Sequence, residues 1–242
     1  MHRFYLEGGL SDIVRLSPED ARHASSVLRL SPGDTVELLS DGARALAVLT
    51  AVAPEETLCR VTGAMPSTEA ALHVTLYQGL PKADKMELIV QKAVELGACR
   101  VVPVRMKRCV VQLDEKDGKK KQERWQKIAR EACKQSGRCA LMPVEAPISF
   151  AELARRLPSH AAALVPWEDA AGFSLRAFHA SHENVRDIAV VIGPEGGMGA
   201  EEVDALRAAG GLPVTLGPRV LRTETAGLAA VSALLCLYGD ME

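Results

Sequence analysis

Two stretches near the C-terminus hold most of the residues able to do chemistry. Ile192-Gly193-Pro194-Glu195-Gly196-Gly197-Met198-Gly199 places four glycines within seven residues. Such a loop can take positive φ and let a ligand reach the main chain closely. It fits neither GxGxxG nor GxxxxGK(S/T), so the nucleotide-phosphate fingerprints are absent. The helix expected behind it opens on Glu201-Glu202, which compensate the positive helix end themselves and repel a phosphate. A cofactor without phosphates, bearing a cationic sulfonium, suits the loop better, the plain alternative being a structural turn. The second stretch is Leu216-Gly217-Pro218-Arg219-Val220-Leu221-Arg222-Thr223-Glu224-Thr225-Ala226. Gly217-Pro218 forces a bend, Thr223 is a candidate helix cap, and two arginines stand beside a threonine-glutamate pair. Arg222 and Glu224 are either part of a site or a surface ion pair of little worth. A third segment, Leu164-Val165-Pro166-Trp167-Glu168, offers an indole that can wall an adenine pocket or simply pack in the core.

These segments must be held by elements whose pattern changes along the chain. Residues 1–70 read as β-rich, with strands at 2–6, 35–39, 43–51 and 58–62 separated by turns such as Ser31-Pro32-Gly33-Asp34 and Asp41-Gly42. A short helix starts at Ser17-Pro18-Glu19-Asp20, where Ser17 caps and Pro18 takes the first helical position. A small barrel fits. Beyond the linker Ala64-Met65-Pro66-Ser67-Thr68, apolar runs at 73–77, 101–104, 161–165, 188–192 and 213–216 alternate with helices at 83–96, 122–135, 200–209 and 224–237. This alternation predicts an α/β domain over 71–242, with a mostly parallel sheet covered on both faces. Open parallel sheets bind ligands at the carboxyl ends of their strands, which is where the three loops fall.

With 48% hydrophobic and 25% charged residues among 242, the chain has ordinary soluble-globular composition and material for two domains. No apolar run approaches the roughly 18 to 20 residues of a membrane-spanning helix, and the N-terminal MHRFYLEGG lacks a signal-peptide stretch, so a cytoplasmic protein is expected. The cysteines at 59, 99, 109, 133, 139 and 236 form no CxxC pair and have no clustered histidines; reduced, mostly buried thiols and no metal are expected. The formal charge of -2 conceals an asymmetry. Residues 82–138 hold 16 of the 29 Lys and Arg against 8 of the 31 Asp and Glu, a net +8 set against -10 elsewhere. A polyanion-facing surface or a solvated face explains it.

GPEGGMGAEEV and LGPRVLRTETA resemble the second and third signature motifs of the SPOUT class of methyltransferases, most closely the RsmE family, which methylates N3 of a uridine in 16S ribosomal RNA. Gln78-Gly79-Leu80-Pro81-Lys82-Ala83-Asp84-Lys85, Lys92-Ala93-Val94-Glu95-Leu96-Gly97 and Glu131-Ala132-Cys133-Lys134-Gln135-Ser136-Gly137-Arg138 support the likeness, as do His2-Arg3-Phe4, His23 and Val27-Leu28-Arg29. The resemblance implies an RNA-binding PUA-like β-barrel over 1–70 and a SPOUT-type α/β domain over 71–242 with a C-terminal trefoil knot. It implies a bent S-adenosylmethionine (SAM) held by Leu164, Val165 and Pro166, by Ile192, Gly193, Glu195, Gly196 and Gly197, and by Leu216, Gly217, Val220, Leu221 and Thr223. The first of these loops matches least distinctively. Partners implied are 16S ribosomal RNA, at uridine 1498 in the assembled small subunit, and a second copy of the chain. The small-residue face of the last helix, with Ala226, Gly227, Ala229, Ala230 and Ala233, is compatible with a homodimer contact or with packing inside one subunit.

Uridine N3 carries a proton that must leave before the nitrogen attacks. Arg222 is the candidate to stabilise charge on the uracil carbonyl oxygens, and Glu224 to orient Arg222 or act as base. Arg3, Arg29, Lys82, Lys85 and Arg138 are the candidate phosphate contacts. Because pairing hides the N3 edge, the target is expected in an unpaired or splayed segment. A non-catalytic RNA-binding module remains the main rival. A hydrolase lacks a GxSxG elbow, His179-Ala180-Ser181-His182 has no metal partners at recognisable spacing, and a nicotinamide oxidoreductase lacks its fingerprint.

Overall fold

A computed structural model of the chain describes residues 1–242 apart from Glu7, Asp41, Ala171 and Glu242. The turn expected at Asp41-Gly42 therefore lies partly outside the described residues. Two compact units emerge, 1–69 with 130–141, and 70–129 with 142–242.

In the first unit, β1 (His2–Tyr5), β2 (Ile13–Arg15), β3 (Thr35–Ser40), β4 (Ala43–Val52) and β5 (Thr57–Met65) form one sheet in the order β1-β3-β4-β5-β2. Only β1 and β3 run parallel within it. Helix α1 (Pro18–Arg22) starts as its sequence requires, with the Asp20 N–H donating to Ser17 Oγ at 3.1 Å. Phe4, Leu38, Leu49 and Cys59 fill the core. Burial pushes the Cys59 thiol up to about 11, so it stays protonated.

Segment 130–141 returns to this unit, which periodicity did not suggest. The Gly42 N–H donates to Cys139 O at 3.0 Å, and the Leu141 N–H to the Tyr5 hydroxyl at 3.2 Å. Such bonds join residues about a hundred positions apart and leave no local pattern to read.

The second unit runs β6 (His73–Gly79), α2 (Lys85–Leu96), β7 (Arg100–Arg105), α3 (Glu115–Ser136, whose last turns belong to the first unit), β8 (Ile148–Ser149), α4 (Phe150–Arg156), β9 (Ala162–Pro166), α5 (Leu175–Ser181), β10 (Asp187–Ile192), α6 (Ala200–Ala208), β11 (Gly211–Val214) and α7 (Thr223–Leu237). Its six strands pair in the order β11-β9-β10-β6-β7-β8, every ladder parallel. Strands apolar throughout suit a sheet buried on both faces, and Val74, Leu76, Val101, Val102, Ala189 and Val190 are fully buried. Helix α2 buries Met86, Ile89, Val90, Ala93 and Val94, and ends at Gly97, whose φ of 98° only glycine takes readily.

Several boundaries differ from the pattern-based expectation. Helix α3 begins at Glu115 instead of near 122, because its first turns are too polar to show a stripe. Strand β11 ends at Val214, which frees Thr215 and Leu216 for the loop after it. The short β2, β8, α4 and α5 are too brief to carry a period. Among the described residues no helix is long and apolar enough to cross a membrane.

Candidate active site

The loops after β9, β10 and β11 enclose a cavity of about 850 Å³ at the carboxyl edge of the sheet, within the size range of small-molecule and cofactor sites. Pro166, Trp167 and Glu168 line it from the first loop, residues 192–198 from the second, residues 215–223 from the third, with Lys85 and Ala226 closing it. Of the thirteen cofactor positions that the family likeness implies, eleven line this space. The other two, Leu164 and Val165, are fully buried in β9 and do not line it. Trp167, which the sequence left undecided, is half-buried and lies on the wall, with the Arg207 guanidinium 6.0 Å from its ring.

The second loop owes its shape to close packing. A Cβ at Gly193 would lie 2.9 Å from Met198 Cγ, and Gly197 has φ 70°. The loop is also pressed against the end of β6, where a Cβ at Gly79 would stand 2.6 Å from the backbone nitrogen of Pro194. Arg108 braces it from the other side by donating from Nη1 to Gly196 O at 2.9 Å. Behind the loop, Glu202 Oε2 accepts from the Gly199 N–H at 3.0 Å and Oε1 from the Lys107 N–H at 2.9 Å. The N-terminal end of α6 is thus satisfied by a buried carboxylate, leaving a phosphate no welcome there.

Thr223 plays a part that its position in the sequence did not suggest. It does not cap α7. Its hydroxyl donates to Gly193 O at 2.6 Å and accepts from Gln78 Nε2 at 2.8 Å, while Nε2 also donates to Gly79 O at 3.1 Å. One buried hydroxyl therefore ties the second loop, the end of β6 and the start of α7 together. Gln78 sits next to Gly79 in a segment noted only for its likeness, and nothing in its spacing marked it.

A charged cluster borders the cavity. Lys85 Nζ lies 3.0 Å from Glu195 Oε1 and 3.1 Å from Glu224 Oε2, and the Lys82 N–H donates to Glu195 Oε1 at 3.0 Å. The two carboxylates hold the ammonium above its ordinary pKa, first through Glu195 and then Glu224. Burial alone would raise Glu195, but the Lys82 N–H and the Lys85 ammonium bring it below the usual carboxylate range. Glu224 is lowered chiefly by its own backbone N–H, helped by Lys85 and Arg222. At neutral pH all three are charged. Arg222 is exposed beside them.

The five residues assigned to phosphates separate into three groups. Arg29 and Lys82 are exposed. Lys85 instead belongs to the cavity cluster. Arg138 is buried and held by Glu69, and Arg3 pairs with Glu37 at 2.9 Å while donating to Gln135 O at 2.7 Å. Those two guanidinium groups take part in the first unit's own packing, which leaves them less available to RNA than the exposed Arg29 and Lys82. Among the described residues, no group of three or more His, Cys, Asp or Glu is placed to hold a metal.

Residues 68–235, which carry all three loops of this cavity, match an RNA methyltransferase domain. The chain is 36% identical over 245 residues to ribosomal RNA small subunit methyltransferase E of Bacillus subtilis, covering 97% of this chain and 96% of that one. It is 33% identical to the protein of that name in Mycobacterium tuberculosis, over 89% and 83% of the two chains. The crystal structure of ribosomal RNA small subunit methyltransferase E from Neisseria gonorrhoeae bound to S-adenosyl methionine superposes with a TM-score of 0.86 at 33% identity, covering both chains fully. The chain belongs to this family, the RsmE family of the SPOUT class.

Proposed function

We propose that this protein is a SAM-dependent methyltransferase that modifies N3 of one uridine in 16S ribosomal RNA, uridine 1498, within the assembled small subunit. The reading includes a cytoplasmic homodimer, a PUA-like first unit and a trefoil knot in the second. The observation that carries it is the three-loop cavity with its Lys85, Glu195, Arg222 and Glu224 rim. The knot is supported by the way Thr223, the first residue of α7, is inserted between the end of β6 and the loop after β10.

The cavity suits SAM on its own terms. It is large enough, it exposes backbone groups of Gly196 and Gly197, and carboxylates of Glu168 and Glu195 stand on its wall to favour a cation. When bound, SAM supplies an electrophilic methyl group on a sulfonium that departs as a neutral thioether. The chain must align the uracil with that methyl group and manage the N3 proton. The exposed Arg222 guanidinium can bind the anionic uracil through its carbonyl oxygens. Glu224, with a lowered pKa, is a weak base, so its better role is to fix Arg222 and Lys85 by charge. The proton then passes to water or to a group of the RNA.

Calorimetric titration with SAM and, separately, NAD tests the cofactor class, and mass spectrometry of 16S RNA from treated small subunits tests the product. SAM binding with a new N3-methyluridine supports the reading. Binding of neither ligand refutes it and leaves an RNA-binding module.

A further inference from the structure

Helix α3 carries a predominantly cationic face on the side away from its buried residues. Each residue turns an α-helix by about 100°, so Lys116, Lys120 and Lys127 fall within about 40° of one another, with Lys119 about 60° to one side. Trp125 and Ala129, both buried, lie on the opposite side. The four lysines are exposed, and among the described residues none has a carboxylate within 4.0 Å. Lys85, Lys92, Lys107 and Lys134 do have such partners. Glu123 is the acid within the face, which leaves it at net +3.

A polar outer face is ordinary for a packed helix, but its charges usually alternate. Here Lys116 and Lys120 are a like-charge pair at i,i+4, a spacing that weakens a helix. Lys116 also lies in the first turn, where a cation opposes the helix dipole. Both choices work against the stability of α3, so the face is explained better by what meets it.

The face is also close in sequence to the cavity. Arg108 packs on the second loop, its Cβ 3.0 Å from where a Cβ of Gly196 would be, and α3 starts seven residues later at Glu115. Seven residues span at most about 25 Å. From Lys116 to Lys127 the helix rises about 16 Å, enough to follow several consecutive phosphates.

We propose that Lys116, Lys119, Lys120 and Lys127 form a docking surface for the phosphate backbone of the RNA substrate. This rests on the proposed function and identifies the surface that positions the RNA, in place of the internally paired Arg3 and Arg138. Phosphate contacts of this kind set position without reading bases.

The test replaces all four lysines with glutamine in the full chain. Binding to unmethylated small subunits is measured at several salt concentrations, with SAM affinity as the control. The slope of log affinity against log salt should become shallower by about 2 to 3, with more than a tenfold loss near 0.1 M salt. KM for RNA should rise while SAM affinity stays constant, and four arginines should restore both. An unchanged slope and KM overturn the proposal, as does polyglutamate binding the wild-type face as tightly as RNA of equal charge. Failure of the wild type to bind SAM would instead sink the proposed function, leaving the lysine face to be judged by the RNA slope alone.

Discussion

Replacing Thr223 by valine removes one hydroxyl while nearly preserving shape, and the structure lets its cost be worked out. Thr223 is buried and Gln78 is fully buried. The hydroxyl satisfies Gly193 O at 2.6 Å and one N–H of Gln78 at 2.8 Å. The Gln78 side-chain oxygen already has no hydrogen-bond partner, so this amide cannot gain by turning over. Valine therefore strands one acceptor and one donor, each worth about 1 to 3 kcal/mol when buried and unpaired. With some relaxation the expected loss is about 2 to 4 kcal/mol in urea unfolding. Thr223→Ser keeps the hydroxyl and should lose about 1 kcal/mol, the worth of a methyl group. Because the bond fixes Gly193 in the second loop, SAM affinity should also fall, tenfold for each 1.4 kcal/mol borne by the site. Thr223→Val within about 0.5 kcal/mol of wild type, with unchanged SAM affinity, would refute the idea that this hydroxyl holds the loops together.

Gly79→Ala should reduce SAM affinity at least tenfold, because the new Cβ would stand 2.6 Å from the Pro194 nitrogen and backbone must move; calorimetry reads it directly. Lys85→Met strips Glu195 and Glu224 of their shared ammonium, so both titrate at higher pH. If their ionised forms are needed, the acid limb of the kcat/KM profile should shift upward. Arg138→Ala leaves Glu69, which is partly exposed, accepting the Cys139 and Ala140 N–H groups at 2.9 and 3.0 Å, and losing the charged hydrogen bonds should cost about 1.5 to 3 kcal/mol. Acid should act on the same pair. Burial alone would raise Glu69, but Arg138 and those N–H groups lower it below the ordinary 4.5. Its contribution is then full above about that pH and lost as pH falls through the folded value. Wild-type unfolding free energy should drop on acidification below about pH 4.5, and Glu69→Gln should flatten part of that drop.

Much of the second unit could be read from the sequence, since alternation of apolar runs with amphipathic stretches is a local property. β6, β7, β9 and β10 and helices α2, α6 and α7 fall within a few residues of where the pattern puts them. Glycine spacing exposed the second loop for the same reason. What escaped depends on residues far apart in the chain. Arg3 and Arg138 looked like free cations until Glu37 and Glu69 appeared beside them. Lys85 looked like a surface charge, and only the fold brings Glu195 and Glu224 to it. Leu164 and Val165, which the likeness implies for a ligand, are buried in β9 beside the cavity and not on its wall. Gln78 and Thr223 show the limit most clearly, because neither residue type nor spacing announces a buried bond across 145 positions.

The glutamates that open α6 show how a local reading can be right in sign and incomplete in mechanism. The sequence placed two acids at a helix start and inferred that phosphate would be repelled. In the structure they do different work. Glu201 reaches outward to Lys107 Nζ at 2.9 Å, a surface pair of little energetic weight. Glu202 turns back, buried, to hold the Gly199 and Lys107 N–H groups. A phosphate seeking those donors would have to expel a carboxylate that has nowhere solvated to go, a penalty larger than repulsion at a surface. The same N-terminus that accepts pyrophosphate in dinucleotide-binding folds is therefore closed from within, and Glu202 links the second loop to the start of the segment that leads into α3. Selection against phosphate cofactors and bracing of the cavity wall are thus one arrangement, so that Glu202→Gln should weaken the wall before it admits a nucleotide.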